Sequence, residues 1–159
     1  MKTSIKKGLG FGLASGVITT LGLMVGLSSS TQSIAAVIGG VVVIALADGM
    51  SDALGIHISE ESENAHSTRE IWEATLATFF SKLIVALSFV APVLLLSLTP
   101  AIIVSIIWGL LLIACFSYYT ALQNKEESTW KVVAEHLAIA LVVIISSHYV
   151  GHLVYQVGH

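Results

Sequence analysis

LADGMSDALGIHISEESE, residues 46–63, begins inside a long apolar run and ends in a cluster of carboxylates. Asp48 and Asp52 are four residues apart, so on a helix they project from one face. Nothing in the flanking residues signals a loop. Charged groups inside hydrocarbon are costly unless they pair or line a wet site, so two acids in an apolar run are functional candidates by default. The rest of the chain must then provide the spans, the partner helices and the counter-charge.

Composition points the same way. The chain has 159 residues, of which 55% are hydrophobic and 11% charged, with a mean hydropathy of +0.90. Soluble domains carry about 25% charged residues, so this is the composition of an integral membrane protein. Five apolar runs approach the roughly 20 residues needed to cross a bilayer; they cover 9–28, 34–57, 74–98, 101–122 and 132–156. They predict an all-α integral membrane protein with five transmembrane helices in a single domain, 1–159, and a cytoplasmic acidic segment at 59–73. A net charge of −3, with few aromatics and none interleaved with basic residues, argues against a nucleic-acid partner. Cys115 is the only cysteine. It leaves no disulfide framework or thiolate zinc site, and its place in an apolar run predicts a small buried hydrophobe.

Five spans put the termini on opposite sides. Lys2, Lys6, Lys7, Arg69, Lys125 and Lys131 then share one side, and the other side has neither Lys nor Arg. That bias predicts a cytoplasmic amino terminus and a carboxyl terminus on the opposite face, the cell exterior or an organelle lumen. Lys2, Lys6 and Lys7 ahead of an apolar run and SIAA also have the outline of a secretory signal peptide. The length and glycine content of the run favour a retained span.

Gly8, Gly12 and Gly16 recur every four residues in the first span, followed by Gly22 and Gly26. Small residues at this spacing let helix backbones approach closely, which predicts a subunit or bundle interface. The seventh basic residue, Lys82, lies inside the third span at a depth of about 15 Å, similar to that of Asp48. An ion pair or proton-exchanging couple between Lys82 and Asp48 or Asp52 would make both tolerable there. Pro92 predicts a bend in the same span. Trp72, Tyr118 and Tyr119 fit an interfacial aromatic belt.

The acidic segment offers a second set of ligands, Glu60, Glu63, His66 and Glu70. On a continuing helix Glu63, His66, Glu70 and Glu73 would share one face. Oxygen ligands with one imidazole suit hard or borderline divalent cations. The plainer reading is a solvated face with Arg69 as local partner. In the fifth span, Glu135 and His136 lie near the cytoplasmic end. His148 and His152, toward the far end, have metal-ligand spacing on a helix. HYVGH lacks the glutamate of a zincin motif, so these histidines are read instead as relays, with Glu135 and Lys82, for protons or ions.

Taken together, these residues resemble the vacuolar iron transporter family. GLASGVITTLGLMVGL is similar to that family's first-span signature at Gly12, Leu13, Gly16, Thr20 and Gly26. ALADGMSDALGIHIS is similar to its second-span signature at Ala47, Ser51, Ala53, Gly55 and Ser59. Pro92, Glu135 and Tyr149-Val150-Gly151 fit later positions, so the resemblance covers nearly the whole chain. It implies a ten-helix homodimer that moves Fe²⁺ or Mn²⁺ out of the cytoplasm against protons, along a path between the first and second spans. The metal would be substrate, with no permanently bound cofactor. The departures are specific. The family's first-span aspartate falls on Ser15, its second-span methionine on Asp52 and the following glutamate on Ile56, while Asp48 stands where glycine is usual. A harder, all-oxygen site at Asp48 and Asp52 would follow. Residues 60–73 stand where eukaryotic members carry a three-helix metal-binding domain.

Two other classes compete with a metal transporter. A non-transporting membrane assembly or metal-sensing protein would keep the fold and bind metal only at the acidic segment. An intramembrane hydrolase needs two carboxylates converging on one substrate. Asp48 and Asp52 share a helix, and no serine or cysteine is visibly paired with a base, so the chain is read as no enzyme.

Overall fold

The computed structural model describes residues 3–63, 65–124 and 128–158; Lys2 and Lys125, which entered the reading above, lie outside them. Six helices follow in order: α1 (Thr3–Thr31), α2 (Ile34–Ser62), α3 (Thr68–Ser88), α4 (Val90–Leu95), α5 (Leu98–Asn124) and α6 (Thr129–Gly158). With α3 and α4 counted together as Thr68–Leu95, five helical segments are long and apolar enough to cross a membrane. Large apolar side chains such as Val43, Met50, Leu54 and Ile58 lie exposed along α2, as do Val142, Leu153 and Val154 along α6. Such extended apolar faces suit lipid or protein, not water. The described residues are all-helical, and five apolar helices of this length suggest a multi-pass membrane protein.

The helix ends have local causes. α1 stops at Thr31 because Gln32 takes a left-handed conformation, with φ 51°, and its N–H still reaches the Ser28 carbonyl at 3.1 Å. α3 begins on a capping box. Ser67 Oγ accepts from the Glu70 N–H, and the Glu70 carboxylate accepts from the Ser67 N–H at 3.0 Å. The bend expected at Pro92 is a break between α3 and α4 at Phe89. Proline has no N–H for the carbonyl four residues earlier, which is that of Ser88. The Phe89 N–H turns back to the Ala86 carbonyl instead, at 3.1 Å.

The helices divide into two compact units, residues 1–20 with 41–89 and residues 21–40 with 90–159. In the first, the glycine face of α1 lies directly on α3. A Cβ at Gly8 would strike the Ala74 carbonyl, and one at Gly12 the Thr78 carbonyl and Ser81. Ser81 Oγ donates to the Leu9 carbonyl at 3.3 Å across this contact. Thr75 and Thr78 return their hydroxyls to carbonyls of their own helix, at 2.8 and 2.9 Å, so neither is left bare in the packed face.

In the second unit, Gly22 faces Val143 and Ser147 of α6, Gly26 faces Ser147, and Gly151 sits against the Gly26 carbonyl. Within the chain, the glycines read above as a subunit or bundle interface lie against neighbouring helices. Without hydrophobic drive in lipid, close backbone packing of this kind is what holds helices together. Cys115 also differs from expectation, since it is exposed on α5.

Candidate functional site

Asp48 lies fourteen residues from either end of α2, and Lys82 fourteen from the start of the 28-residue segment formed by α3 and α4. At 1.5 Å per residue each is about 20 Å from the nearer helix end. The two meet. Lys82 Nζ donates to Asp48 Oδ2, to Asp52 Oδ2 at 2.5 Å and to Ser15 Oγ at 2.9 Å. A lysine has three N–H donors, so all three are used.

The local sequence sets this geometry. Asp48 and Asp52 share a face of α2 because they are one turn apart. Gly16 makes room on α1, where a Cβ would lie 3.3 Å from both Cα and Cγ of Lys82. The lysine stem thus lies under a bare patch of α1 backbone, and its head reaches the acids. Lys82 is only 1% exposed, while the side chains of Asp48 and Asp52 remain 32% and 18% exposed. With all three groups ionised, the cluster carries a formal charge of −1. Its open side is the carboxylate side.

A second cluster forms where α2 ends. Glu60 is fully buried and is bracketed by two bases: Lys7 Nζ contacts Oε1, and His66 Nδ1 lies 2.8 Å from Oε2. Glu63 meets the same Lys7 ammonium at 3.2 Å. Among the described residues, Glu60, Glu63 and His66 are the one group of three or more acidic, His or Cys side chains whose ligand atoms could close on a metal ion. Glu70 is elsewhere, with its carboxylate on the α3 cap, and Glu73 pairs with Arg69 at 3.0 Å. The single helical face expected for Glu63, His66, Glu70 and Glu73 does not form, because α2 ends at Ser62 and α3 starts afresh at Thr68.

The remaining candidates are scattered. Glu135 is exposed near the start of α6. His136 Nδ1 lies 2.7 Å from Ser117 Oγ. His148 Nδ1 is 2.8 Å from Ser29 Oγ, and His152 Nε2 is 3.1 Å from the Gln156 amide. The two histidines of HYVGH thus have separate partners.

Three participants escaped sequence reasoning. Lys7 was read only as a topology signal, and nothing local links it to Glu60, fifty-three positions away. Ser15 was noted as a replaced aspartate, and that substitution was the available clue to a lysine partner. His57 went unread. The Thr75 hydroxyl donates to Ile71, so it accepts from His57 Nδ1–H at 3.0 Å, and the Trp72 ring stands edge-on to the imidazole at 4.8 Å. No protein-family model matches the chain, and no curated protein does.

Proposed function

We propose that the protein is a proton-coupled exporter of divalent metal ions of the Fe²⁺ and Mn²⁺ class, similar in plan to the vacuolar iron transporters. The observation that carries this reading is the Lys82–Asp48–Asp52–Ser15 cluster at the midpoint of helices long enough to span a bilayer. Two acids held there by one ammonium form a cation seat that already contains a cation. An arriving metal would take the two carboxylates and displace the lysine head, and protons would move the other way. Glu60, Glu63 and His66 would collect metal on the cytoplasmic side. The part-open face of Asp48 favours a second copy of the chain covering it, because a carboxylate bare to hydrocarbon is costly.

One observation favours a second reading. Lys82 already satisfies both acids, so the cluster can hold the helices together without any metal. In that case the protein is a non-transporting assembly or metal-sensing protein, and metal binds at Glu60, Glu63 and His66 alone. Uptake of Mn²⁺ into proteoliposomes, read by an entrapped fluorescent dye under a proton gradient, separates the two. The exporter reading expects flux in the native chain and background flux in Asp48→Asn with Asp52→Asn. Undiminished flux in that double variant removes the site from the transport path, and absence of flux in the native chain favours the second reading.

A further inference from the structure

α2 and the residue after it present acids in two pairs, and a lysine from another helix meets each pair. Lys82 of α3 meets Asp48 and Asp52, and Lys7 of α1 meets Glu60 and Glu63. The chemistry is the same, but the freedom of the lysine is not. The Lys82 side chain is 1% exposed, whereas that of Lys7 is 41% exposed. Lys7 can therefore swing its ammonium into water on its aliphatic stem. Glu60 has no such choice, since its side chain is wholly shielded from solvent.

Glu60 is also short of partners. A buried carboxylate is normally hydrogen-bonded. Lys7 and His66 stand against its two oxygens. Yet among the described residues neither oxygen, nor His66 Nδ1, makes a hydrogen bond of acceptable geometry. One ligand atom from each of Glu60, Glu63 and His66 lies within 4.8 Å of the others, close enough for a single cation to meet all three.

The charges decide which cation. Two carboxylates and the Lys7 ammonium leave the group at a formal −1 with a neutral imidazole. A monovalent ion in place of Lys7 keeps that sum and must shed its own water. A divalent ion brings the sum to zero. We propose that Lys7 is the resident counter-ion of this seat, that a divalent cation of the Mn²⁺ and Fe²⁺ class enters by displacing it, and that monovalent cations are thereby kept out. The proposal rests on the reading of Glu60, Glu63 and His66 as a metal-collecting group. Lys7 stays an ammonium throughout and leaves for solvent. It then no longer ties the first turns of α1 to the end of α2, so loading the seat loosens that contact.

The test is calorimetry of Mn²⁺ binding to the full chain in detergent, counting the component that Glu60→Gln weakens. Lys7→Gln removes the competitor and is expected to tighten that component by about tenfold, the scale of one charge-assisted hydrogen bond. Lys7→Arg keeps the charge and is expected to bind no tighter than the native chain. Exchanging choline chloride for NaCl at equal ionic strength should leave the native affinity unchanged. Amide hydrogen exchange of the native chain needs no variant. Mn²⁺ should speed exchange at residues 7–11 and slow it at residues 57–63. Equal affinities in the native chain and Lys7→Gln, competition by Na⁺, or slower exchange in both segments overturns the displacement and leaves the seat standing. Absence of Mn²⁺ binding from both the native chain and Lys7→Gln overturns the seat, and the proposal with it.

Discussion

Lys82→Met isolates the charge pairing at the centre of the first unit. Methionine keeps most of the aliphatic stem that lies beneath Gly16, so packing is little changed and the loss is electrostatic. Removing one partner of a buried ion pair costs about 3–5 kcal/mol. Here the acids left behind are 32% and 18% exposed, which allows some relief, and the lower end, about 3 kcal/mol, is the expected loss. For a chain of this size that corresponds to a melting temperature lower by about 6–12 °C. The assay is thermal unfolding in detergent, followed by circular dichroism. The decisive comparison adds Asp48→Asn and Asp52→Asn to Lys82→Met. If the cost is that of orphaned carboxylates, the triple variant recovers at least half of it, because neutral amides need no counter-ion. Lys82→Met melting with the native chain, or a triple variant no better than the single one, refutes the pairing as a source of stability.

Gly12→Val places a branched side chain against the Thr78 carbonyl and Ser81, and should cost about 1–3 kcal/mol by forcing α1 from α3. Gly55→Ala, where a Cβ meets nothing within 4 Å, should instead stabilise by up to about 1 kcal/mol in the same melt. Gln32→Gly removes a left-handed non-glycine residue from the α1–α2 turn and should raise stability by about 1 kcal/mol. Glu60→Gln should weaken Mn²⁺ binding at the Glu60–Glu63–His66 group by on the order of tenfold in calorimetry, while Glu70→Gln leaves it within experimental error.

The helices were legible because a run of apolar residues about 20 long has few other uses, and Pro92 marked the interruption of the third. Lys82 against Asp48 and Asp52 was legible for a related reason. So few charges occur inside the spans that their partners could be enumerated. The polar turn was harder. Glu63 through Glu73 has a helical period, yet Ser67 and Glu70 form a stronger local pattern, a capping box, which starts a new helix and redirects Glu70. Periodicity cannot register such a start when it falls inside the period. The pairing of Lys7 with Glu60 joins the first turns of α1 to the last turn of α2, a tertiary contact with no local trace. Cys115 was misplaced for another reason. In lipid an apolar residue can face outward as readily as inward, so hydrophobicity does not predict burial.

The order of the charges along the chain has a consequence for biosynthesis. Lys82 follows Asp52 by thirty residues and Asp48 by thirty-four. A ribosome working from the amino terminus releases both acids while their cation is still inside the exit tunnel. The nascent hairpin of α1 and α2, joined only through Gln32 and Ser33, must wait with its carboxylates uncompensated until the third helix emerges. Truncation after Ser62 should therefore yield a hairpin that the translocon inserts poorly and that quality-control proteases remove. Where α2 spans a bilayer, the arrival of α3 brings the one cation that meets both of its acids.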